Sequence, residues 1–279
     1  MERGAFQFFH RLRVRWPEVD AQRVVFNGQY LGYFDVVNSA YWRAAALPYP
    51  EAFDRFGGDT FVKKATLEYH GSAGYDDFID AGMKCGHVGN SSLTFTAGFF
   101  RSEALLATAE VVYVFVDVTT RRPTRFPDPL REALTAFEAG EPPVRVETGS
   151  WERHGADVRS LREEEELDAR ATHAVVRDRF GAALATGRLD FDGPGDAEIA
   201  GVVVRPSLRG SGLGRKVIAA LANEAAERGA AAVFARPPLA EAGFFERAGF
   251  GRGGGDRGRL FYGPRGASGK RLSRPRRGV

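Results

Sequence analysis

Four strand-like segments follow one another between residues 61 and 118, separated by linkers of only a few residues. They read FVKKATLEYH, DFIDAGMKCGHVG, SLTFTAGFF and LLATAEVVYVFVDV, with the linkers GSAGYD, GNS and RSEA between them. A parallel connection needs a crossover of about a dozen residues or more, so these linkers permit only antiparallel pairing. The sequence therefore predicts an antiparallel meander and excludes a parallel sheet in this half of the chain.

One strand and one long helix precede this meander. Residues 8–15 alternate between apolar and polar side chains, as a strand does. A helix is predicted over residues 28–45, because aromatic and apolar side chains recur there at spacings of three and four. These are Tyr30, Phe34, Val37, Tyr41 and Ala44. With a closing helix in DPLREALTAFE, the fold class of this half is α+β, and its sheet can wrap around the central helix.

Composition limits the class of protein. The chain has 279 residues with 43% hydrophobic content, which is enough for one large domain or two ordinary ones. Cys85 is the single cysteine, so no disulfide can form within the chain. No apolar run approaches the roughly 20 residues of a membrane span, and the N-terminus lacks the apolar segment of a signal peptide. We therefore expect a cytoplasmic protein, and the spacing of the histidines predicts no metal site.

The second half differs in character from the first. Residues 139–150 have linker composition, and the segments that follow predict strands, a glycine-rich loop, a helix, a strand and a last helix. The expected domains are residues 1–140 and 151–262, with a linker over 141–150.

The tail over residues 263–279 carries six basic residues and no acid, and we expect it to be disordered. Removing those six charges changes the net charge from +3 to −3, so the folded part is mildly acidic and we expect no nucleic-acid partner.

The glycine-rich loop lies in VVVRPSLRGSGLGRKVI, between a predicted strand and a predicted helix. Glycines let several backbone amides approach a pyrophosphate at the start of a helix. Neither a dinucleotide fingerprint nor a Walker sequence fits, because Arg215 stands where the third glycine of the fingerprint would be. The spacing is instead Arg-x-x-Gly-x-Gly, at Arg209, Gly212 and Gly214.

The N-terminal half resembles the 4-hydroxybenzoyl-CoA thioesterase family of hotdog enzymes over residues 6–138. The resemblance lies in RVRWPEVDAQRVVFNGQYLGYFD and in the strands after it. It implies that Asp20 is catalytic and that the thioester carbonyl lies at the start of the central helix, near Asn27 and Gly28. A thioester hydrolase needs a carboxylate and donors aimed at the developing oxyanion, which agrees with this transfer.

Asp20 has a second interpretation, because aspartate is also a common turn residue that bonds its own backbone. If it is catalytic, the sequence leaves open whether it attacks the carbonyl or activates water. The family commonly has glycine three residues after the aspartate, where this chain has Arg23. We expect either a remodelled loop or an arginine directed at a phosphate of CoA.

Other residues are candidates for substrate binding in the first half. Phe26 and Tyr30 adjoin the expected oxyanion site, although most aromatic side chains of this region are expected in the core. The resemblance implies that Asn90 and Ser91 contact the pantetheine arm, and a plain hairpin turn is the alternative.

The C-terminal half resembles the GNAT N-acetyltransferases over about residues 150–262, on the glycine-rich loop and the later GFFERAGF. The resemblance implies an α/β fold that binds acetyl-CoA along the strand ending at Val204. The implied CoA-binding residues are Val202, Val204, Arg209, Gly210, Ser211, Gly212, Leu213, Gly214 and Arg215. Many relatives have a tyrosine where this chain has Phe245, which has no proton to donate to the leaving thiolate. The segment before His173 is short and acidic, so we expect little or no acetyl transfer.

These observations predict hydrolysis of acyl-CoA thioesters by the first domain, without a required cofactor. They predict CoA or acetyl-CoA as a ligand of the second. A bifunctional thioesterase and acetyltransferase, or a non-catalytic acyl-CoA sensor, are the alternatives. Hotdog relatives pair their sheets across a two-fold axis, which implies a homodimer or homotetramer here. The long apolar strand over residues 105–118 is the expected contact surface, and no membrane partner is expected.

Overall fold

The computed structural model describes residues 1–163, 165–192, 195–252 and 258–263. The chain divides into two compact units, Met1–Pro143 and Val144–Val279. The tail residues 264–279, predicted to be disordered, lie outside the described residues. No helix in the described part of the chain is both long and apolar enough to span a membrane.

The first unit follows the predicted order of strand, helix, four strands and helix. Its elements are β1 (Phe8–Arg13), α1 (Gln29–Ala44), α2 (Glu51–Asp54), β2 (Gly58–Tyr69), β3 (Phe78–Val88), β4 (Ser92–Arg101), β5 (Ala104–Asp117) and α3 (Asp128–Glu138). The five strands form one antiparallel sheet in the order β1-β3-β4-β5-β2.

Helix α1 packs against this sheet through the aromatic face that its sequence predicts. Tyr30 and Tyr41 are almost completely buried and meet Phe99 and Phe95 of β4 at ring-centre distances of 5.3 and 5.4 Å. Tyr41 also contacts Phe8 of β1 edge to face. Large rings in edge-to-face contact bury much apolar area, so this face fixes the helix on the sheet. The α+β hotdog arrangement predicted for this half is confirmed.

The register defines two ends of this sheet, and both ends matter for the candidate site. Arg13 at the end of β1 pairs with Phe78 at the start of β3, whereas Val88 at the end of β3 pairs with Leu93 of β4. Eleven residues of β3 separate these ends, which corresponds to about 35 Å of extended strand. Segments that follow β1 and segments that follow β3 therefore lie at opposite ends of the sheet.

Strand β5 is interior, and the two edge strands of the sheet are β1 and β2. The apolar strand expected to form a subunit contact is β5, but it pairs with β4 on one side and with β2 on the other. Its backbone groups are thus already used within the sheet. β2 has no neighbouring strand on its outer side within the described chain, and it exposes Phe61 and Val62 by 56% and 59%.

The second unit contains a mixed sheet with helices. Its elements are β6 (Val144–Gly149), α4 (Trp151–Leu161), β7 (Thr172–Asp178), β8 (Ala183–Asp192), β9 (Asp196–Val204), α5 (Leu213–Glu227), β10 (Ala232–Ala235), α6 (Ala242–Arg247), β11 (Phe250–Arg252) and β12 (Leu260–Tyr262). The strand order is β11-β12-β10-β9-β8-β7-β6, and β9 and β10 run parallel while the other described pairs are antiparallel. This arrangement confirms the α/β class predicted for the second half.

Two segments of this unit differ from their sequence interpretation. Residues 144–149, part of the expected linker over 141–150, form β6 and pair with β7 over the whole strand. The pairing is a long-range contact that linker composition does not reveal. Helix α4 begins after Ser150 and was not expected, although Trp151, His154 and Val158 recur at spacings of three and four.

Candidate functional site

Asp20 lies at the tip of a short hairpin that connects β1 to α1. The Asp20 amide donates to the Val24 carbonyl at 2.9 Å, and the Arg23 amide donates to the Asp20 carbonyl at 2.9 Å. One carboxylate oxygen, Oδ1, accepts the Gln22 amide at 2.8 Å, which is an Asx turn. The second oxygen has no hydrogen-bond partner among the described residues. The carboxylate therefore stabilises the turn with one oxygen and can still offer the other to a substrate or water.

The hairpin keeps the backbone conformation that a glycine would favour. Arg23 has a φ of 64°, in the left-handed region that costs energy for a residue with a Cβ. Arg23 is therefore held in a strained backbone conformation, and its side chain is exposed.

The hairpin leads directly into the N-terminus of α1. The Gly28 amide donates to the side-chain oxygen of Asn27 at 2.7 Å, and the Gln29 amide donates to the Phe26 carbonyl at 2.9 Å. The backbone N–H of Asn27 has no acceptor among the described residues. The helix dipole also favours negative charge at this end. This amide is thus the available donor for an oxyanion, whereas that of Gly28 is occupied by the Asn27 side chain.

Phe26 covers this helix end without being buried. Its side chain is 56% exposed, and a Cβ on Gly28 would lie 2.8 Å from its ring. The absence of a side chain at Gly28 therefore lets the ring lie over the first turn of α1. An apolar acyl group bound here would meet an aromatic surface.

Tyr30 lies elsewhere, in the core beneath the helix. It is 2% exposed and contacts the rings of Tyr33, Tyr69 and Phe99. Its hydroxyl is buried with no hydrogen-bond partner among the described residues, and burial raises the pKa of Tyr30 to about 12. Tyr30 is therefore a core aromatic, like Phe34 and Tyr41, which lie on the same face of α1.

Asn90 and Ser91 are not close to Asp20 within one chain. They form the turn between β3 and β4, at the opposite end of the sheet from the hairpin. Their carbonyls accept the amides of Phe126 at 2.7 Å and of Phe115 at 2.8 Å. Within one copy of the chain, Asn90 and Ser91 are therefore residues of a hairpin turn.

The sequence analysis missed Glu18, a buried carboxylate beside the hairpin. Glu18 is 4% exposed, and it accepts hydrogen bonds from the Arg15 amide at 2.7 Å and from the Tyr33 hydroxyl of α1 at 2.8 Å. The Arg15 guanidinium lies 2.5 Å from its other oxygen. Burial would raise the pKa of Glu18, but the bonds from Arg15 and Tyr33 outweigh it and hold this pKa below its ordinary value. No local pattern distinguishes Glu18 from an ordinary surface glutamate.

In the second unit, the glycine-rich loop offers a cluster of amides. Gly210 and Gly212 have φ values of 83° and 87°, and α5 begins directly after them. The amides of Gly210, Gly212, Leu213 and Gly214 have no acceptors within the described part of the chain, while that of Ser211 donates to Leu208. Arg209 and Arg215 are exposed at the loop. Such a group of amides at a helix N-terminus fits a phosphate.

Strand β9 leads into this loop with one edge that is unpaired near its end within the described residues. It pairs with β10 only from Asp196 to Glu198, whereas its pairing with β8 continues to Val204. Gly201, with a φ of 57°, forms a bulge against β8. The backbone from Gly201 to Val204, which includes Val202, therefore faces outwards from β8 and can pair with an extended ligand carrying amide groups.

The α6 aromatics close the far side of this loop. A Cβ on Gly214 would lie 2.8 Å from the ring of Phe244, so the glycine permits α5 and α6 to pack closely. Phe245 is 4% exposed and contacts Phe250 at 5.3 Å between ring centres. The side chain at this position belongs to the core and supplies no proton. Tyr262 contacts Phe250 from the other side, at 5.2 Å.

A buried ion-pair network fills the region beside the Gly201 bulge. Arg162 donates two hydrogen bonds to Asp168, at 2.8 and 2.6 Å, and Asp168 is completely buried. Arg188, also buried, pairs with Glu165 and Asp190. A Cβ on Gly201 would lie 3.1 Å from the Arg162 guanidinium. The segment after α4 is thus held over the bulge, and the acidic side chain of Glu165 is used within the network.

No cluster of three or more histidine, cysteine or acidic side chains suited to a metal occurs among the described residues.

Comparison with known proteins divides the chain in the same way. A family model described as the thioesterase-like superfamily matches residues 14–134, and one described as the acetyltransferase (GNAT) family matches residues 132–250. Each match covers less than half of the chain. The two resemblances predicted from the sequence are confirmed: the first half resembles the hotdog thioesterases, and the second half resembles the GNAT acetyltransferases.

Individual relatives match the first half. A protein of Aquifex aeolicus, named only provisionally as an esterase, is 27% identical over 109 residues, 39% of this chain and 84% of its own length. The acyl-CoA thioesterase YbgC of Haemophilus influenzae is 24% identical over 127 residues, 46% of this chain and 93% of its own. Among solved structures, a hypothetical protein of Aquifex aeolicus is 24% identical with a TM-score of 0.43, covering 46% of this chain and 98% of its own. The DHNA-CoA thioesterase of Staphylococcus aureus is 18% identical with the same TM-score, covering 47% and 90%.

Proposed function

We propose that the first unit hydrolyses acyl-CoA thioesters to a free acid and CoA, with Asp20 and Asn27 as its catalytic residues. The observation that carries this proposal is that two polar groups without partners occur on one segment of the chain. The second carboxylate oxygen of Asp20 and the backbone N–H of Asn27 both lack partners in the described chain, at the N-terminus of α1. The names of the curated relatives, an esterase and an acyl-CoA thioesterase, support the same reaction class.

The chemistry follows from these two groups. The Asn27 amide and the dipole of α1 stabilise the negative charge that develops on the thioester oxygen when its carbonyl carbon is attacked. Asp20 either takes a proton from the attacking water or attacks the carbon itself, in which case water hydrolyses the resulting anhydride. In both routes the C–S bond breaks and CoA leaves as a thiolate, which is then protonated. Hydrolysis needs water and no further cofactor.

Substrate binding in this unit is assigned to two regions. Phe26 offers an exposed ring beside the helix end and is proposed to contact the acyl group. Tyr30 supports that end from the core, so its contribution to substrate binding is indirect. Asn90 and Ser91 are proposed to reach the pantetheine arm of a substrate held by a second copy of the chain.

A homodimer explains how both regions could serve one substrate. We propose that β2 of one copy pairs antiparallel with β2 of a second copy, because β2 is an edge strand that exposes the apolar side chains of Phe61 and Val62. Two-fold pairing of this strand brings the start of one β2 next to the end of the other. The β3–β4 turn of one copy would then lie at the same end as the Asp20 hairpin of its partner. Light scattering at micromolar concentration should give at least a dimer, and a monomer would contradict this assignment.

The second unit is proposed to bind CoA or an acyl-CoA. The free amides of Gly210, Gly212, Leu213 and Gly214 would receive the pyrophosphate, with Ser211 between them and Arg209 and Arg215 contributing positive charge. The open edge of β9 from Val202 to Val204 would pair with the amides of the pantetheine arm. Isothermal titration of the full chain with CoA tests this assignment.

We propose that this second unit does not transfer acetyl groups at a useful rate. Phe245 is a core side chain without a proton, and the Arg162–Asp168 network fills the region beside the bulge of β9. The alternative of a bifunctional enzyme requires Tyr262 or water to protonate the thiolate. An acetyl-transfer assay across polyamines, amino acids and small amines distinguishes the two, because brisk transfer to any of them would favour the bifunctional protein.

The main experiment is CoA release by the full chain from acyl-CoAs that differ in chain length and aromaticity. Hydrolysis of at least one of them, lost in Asp20→Asn, is the expected result. If no acyl-CoA is hydrolysed while CoA still binds, the protein is a non-catalytic acyl-CoA sensor.

A further inference from the structure

Glu18 is a buried charge that the proposed reaction does not use. Its two carboxylate oxygens accept hydrogen bonds from the Arg15 amide, the Arg15 guanidinium and the Tyr33 hydroxyl, at distances of 2.7 to 2.8 Å. Burial of a carboxylate is costly unless it is fully hydrogen-bonded, and here both oxygens are satisfied. A side chain held in this way has a defined position rather than a mobile one.

The same residue connects the hairpin to the helix. The Glu18 carbonyl accepts the Phe26 amide at 2.9 Å, so Glu18 is paired with the residue that directly precedes Asn27. Its carboxylate simultaneously binds Tyr33, which lies in the second turn of α1. Asp20 follows two residues later on the same strand of the hairpin. Glu18 is therefore bonded to α1 through its side chain and to the residue before Asn27 through its backbone, two residues before Asp20.

Much of this hairpin is exposed, although Val25 is buried in the core. Five of its residues, Ala21, Gln22, Arg23, Phe26 and Asn27, are exposed. Backbone contacts to the neighbouring loop remain, between Val24 and Gly74 and from the Val25 amide to the Ala73 carbonyl. These contacts attach the hairpin to the loop before β3, whereas the Glu18–Tyr33 bond attaches it to α1, at whose N-terminus the thioester is proposed to bind.

We propose that Glu18 and Tyr33 are positioning residues for the thioesterase site, which hold the Asp20 hairpin in register with the N-terminus of α1. This inference rests on the proposed hydrolase function. A displacement of about 1 Å between catalytic groups can lower a rate by about 100-fold, so a single anchoring bond has a measurable effect on turnover. Loss of the Tyr33 hydroxyl should lower kcat by about 10- to 100-fold and leave KM within about twofold.

The chain contains a matched control for this bond. Tyr41 lies on the same helix, is completely buried, and its hydroxyl donates to Glu138. Tyr33→Phe and Tyr41→Phe thus each delete one buried hydroxyl that binds a glutamate, but only the first of these glutamates belongs to the hairpin.

For the carboxylate of Glu18, the variant Glu18→Gln is compared with Asp80→Asn. Asp80 is a buried carboxylate of β3 that pairs with Arg11 at 2.6 Å and Arg3 at 2.9 Å.

Two readouts are measured on the full chain, at a temperature where each variant is folded by circular dichroism. The first is kcat and KM for the best acyl-CoA substrate. The second is hydrogen exchange at the amides of Asp20 and Phe26, whose bonds close the hairpin. We expect Tyr33→Phe and Glu18→Gln to lower kcat and to speed exchange at these two amides by at least about tenfold. Tyr41→Phe and Asp80→Asn should change kcat and the exchange rates of these two amides by no more than about twofold, even where they lower the melting temperature.

The outcomes separate this inference from the proposed function. If the wild-type chain hydrolyses no acyl-CoA, the hydrolase proposal fails, while exchange at Asp20 and Phe26 still reports whether Tyr33 anchors the hairpin. Exchange that is equally slow in Tyr33→Phe and Tyr41→Phe would overturn the anchoring. Equal kcat values for these two variants in an active enzyme would overturn the positioning role.

Discussion

Replacement of Asp20 by asparagine separates the two roles that the structure gives this residue. One carboxylate oxygen accepts the Gln22 amide and closes the turn, and the other is free in the described chain. An asparagine oxygen can accept the same amide, so the turn should persist. The amide cannot accept the proton of water or attack as an anion, so hydrolysis should be lost.

The two effects differ in size by enough to be distinguished. Asp20 is only partly buried and forms no ion pair that the structure describes, so the free energy of unfolding should change by no more than about 0.5 kcal/mol. Loss of general-base catalysis should lower kcat by about 10²- to 10⁴-fold, which corresponds to about 3 to 5 kcal/mol of transition-state stabilisation. Urea denaturation and CoA release from the same preparation measure both quantities.

Asp76→Asn is the matched control. Asp76 is a half-exposed turn residue beside the hairpin, with a φ of 71°, and it pairs with Arg13 at 2.6 Å. Asparagine tolerates this conformation, so the variant removes a nearby negative charge without changing the fold. Its turnover should stay within about twofold of the wild-type value, because surface pairs contribute little. Near-normal turnover in Asp20→Asn would refute the catalytic role and leave Asp20 as a turn residue.

Three further predictions concern the backbone, the loop of the second unit and the dependence of stability on pH. Arg23→Gly should raise the unfolding free energy by up to about 1 kcal/mol in urea denaturation, because glycine adopts a φ of 64° without strain; Gln22→Gly, where φ is not positive, should lower it. Gly210→Ala and Gly181→Ala place a Cβ in open space at the same φ of 83°, so both should destabilise similarly by about 1 kcal/mol. Calorimetry should show weaker CoA binding in Gly210→Ala alone, and equal affinities would remove the loop from the CoA site. Burial and the nearby guanidinium groups lower the pKa of His154 below its ordinary 6.5. Between this lowered pKa and about 6.5, His154 is protonated in the unfolded chain but neutral in the folded chain. The free energy of unfolding should therefore fall as the pH drops below about 6.5, until the lowered pKa is reached. Substitution of His154 by glutamine should flatten this part of the denaturation profile, and an unchanged slope would argue against the buried neutral imidazole.

Much of the fold follows from local patterns in the sequence. The aromatic spacing over residues 28–45 predicts the helix found at Gln29–Ala44, and the short linkers predict the antiparallel order of β2 to β5. The spacing of apolar residues and the length of linkers are properties of nearby residues, so they can be determined without knowledge of the fold. The glycine-rich loop was predicted between a strand and a helix, and the structure places it between β9 and α5.

The positions of particular side chains depended on contacts that are distant in the sequence. Tyr30 and Phe26 are four residues apart and look alike as aromatic candidates, yet the fold buries the first and exposes the second. Asn90 and Ser91 lie far from Asp20 because β3 separates the two ends of the sheet, a separation set by strand register. Whether they serve the site then depends on a second copy of the chain.

The sequence by itself determined the fold classes of the two halves, the antiparallel order of β2 to β5 and the place of the glycine-rich loop before a helix, because each is encoded by residues close together in the chain. Only the tertiary structure decided that β5 is an interior strand and β2 an edge strand, that residues 144–149 form a strand, and that Glu18 is buried against Tyr33. Those features arise when segments far apart in sequence pack together, and burial then changes the energy of a charge or hydroxyl in a way that its residue type does not reveal.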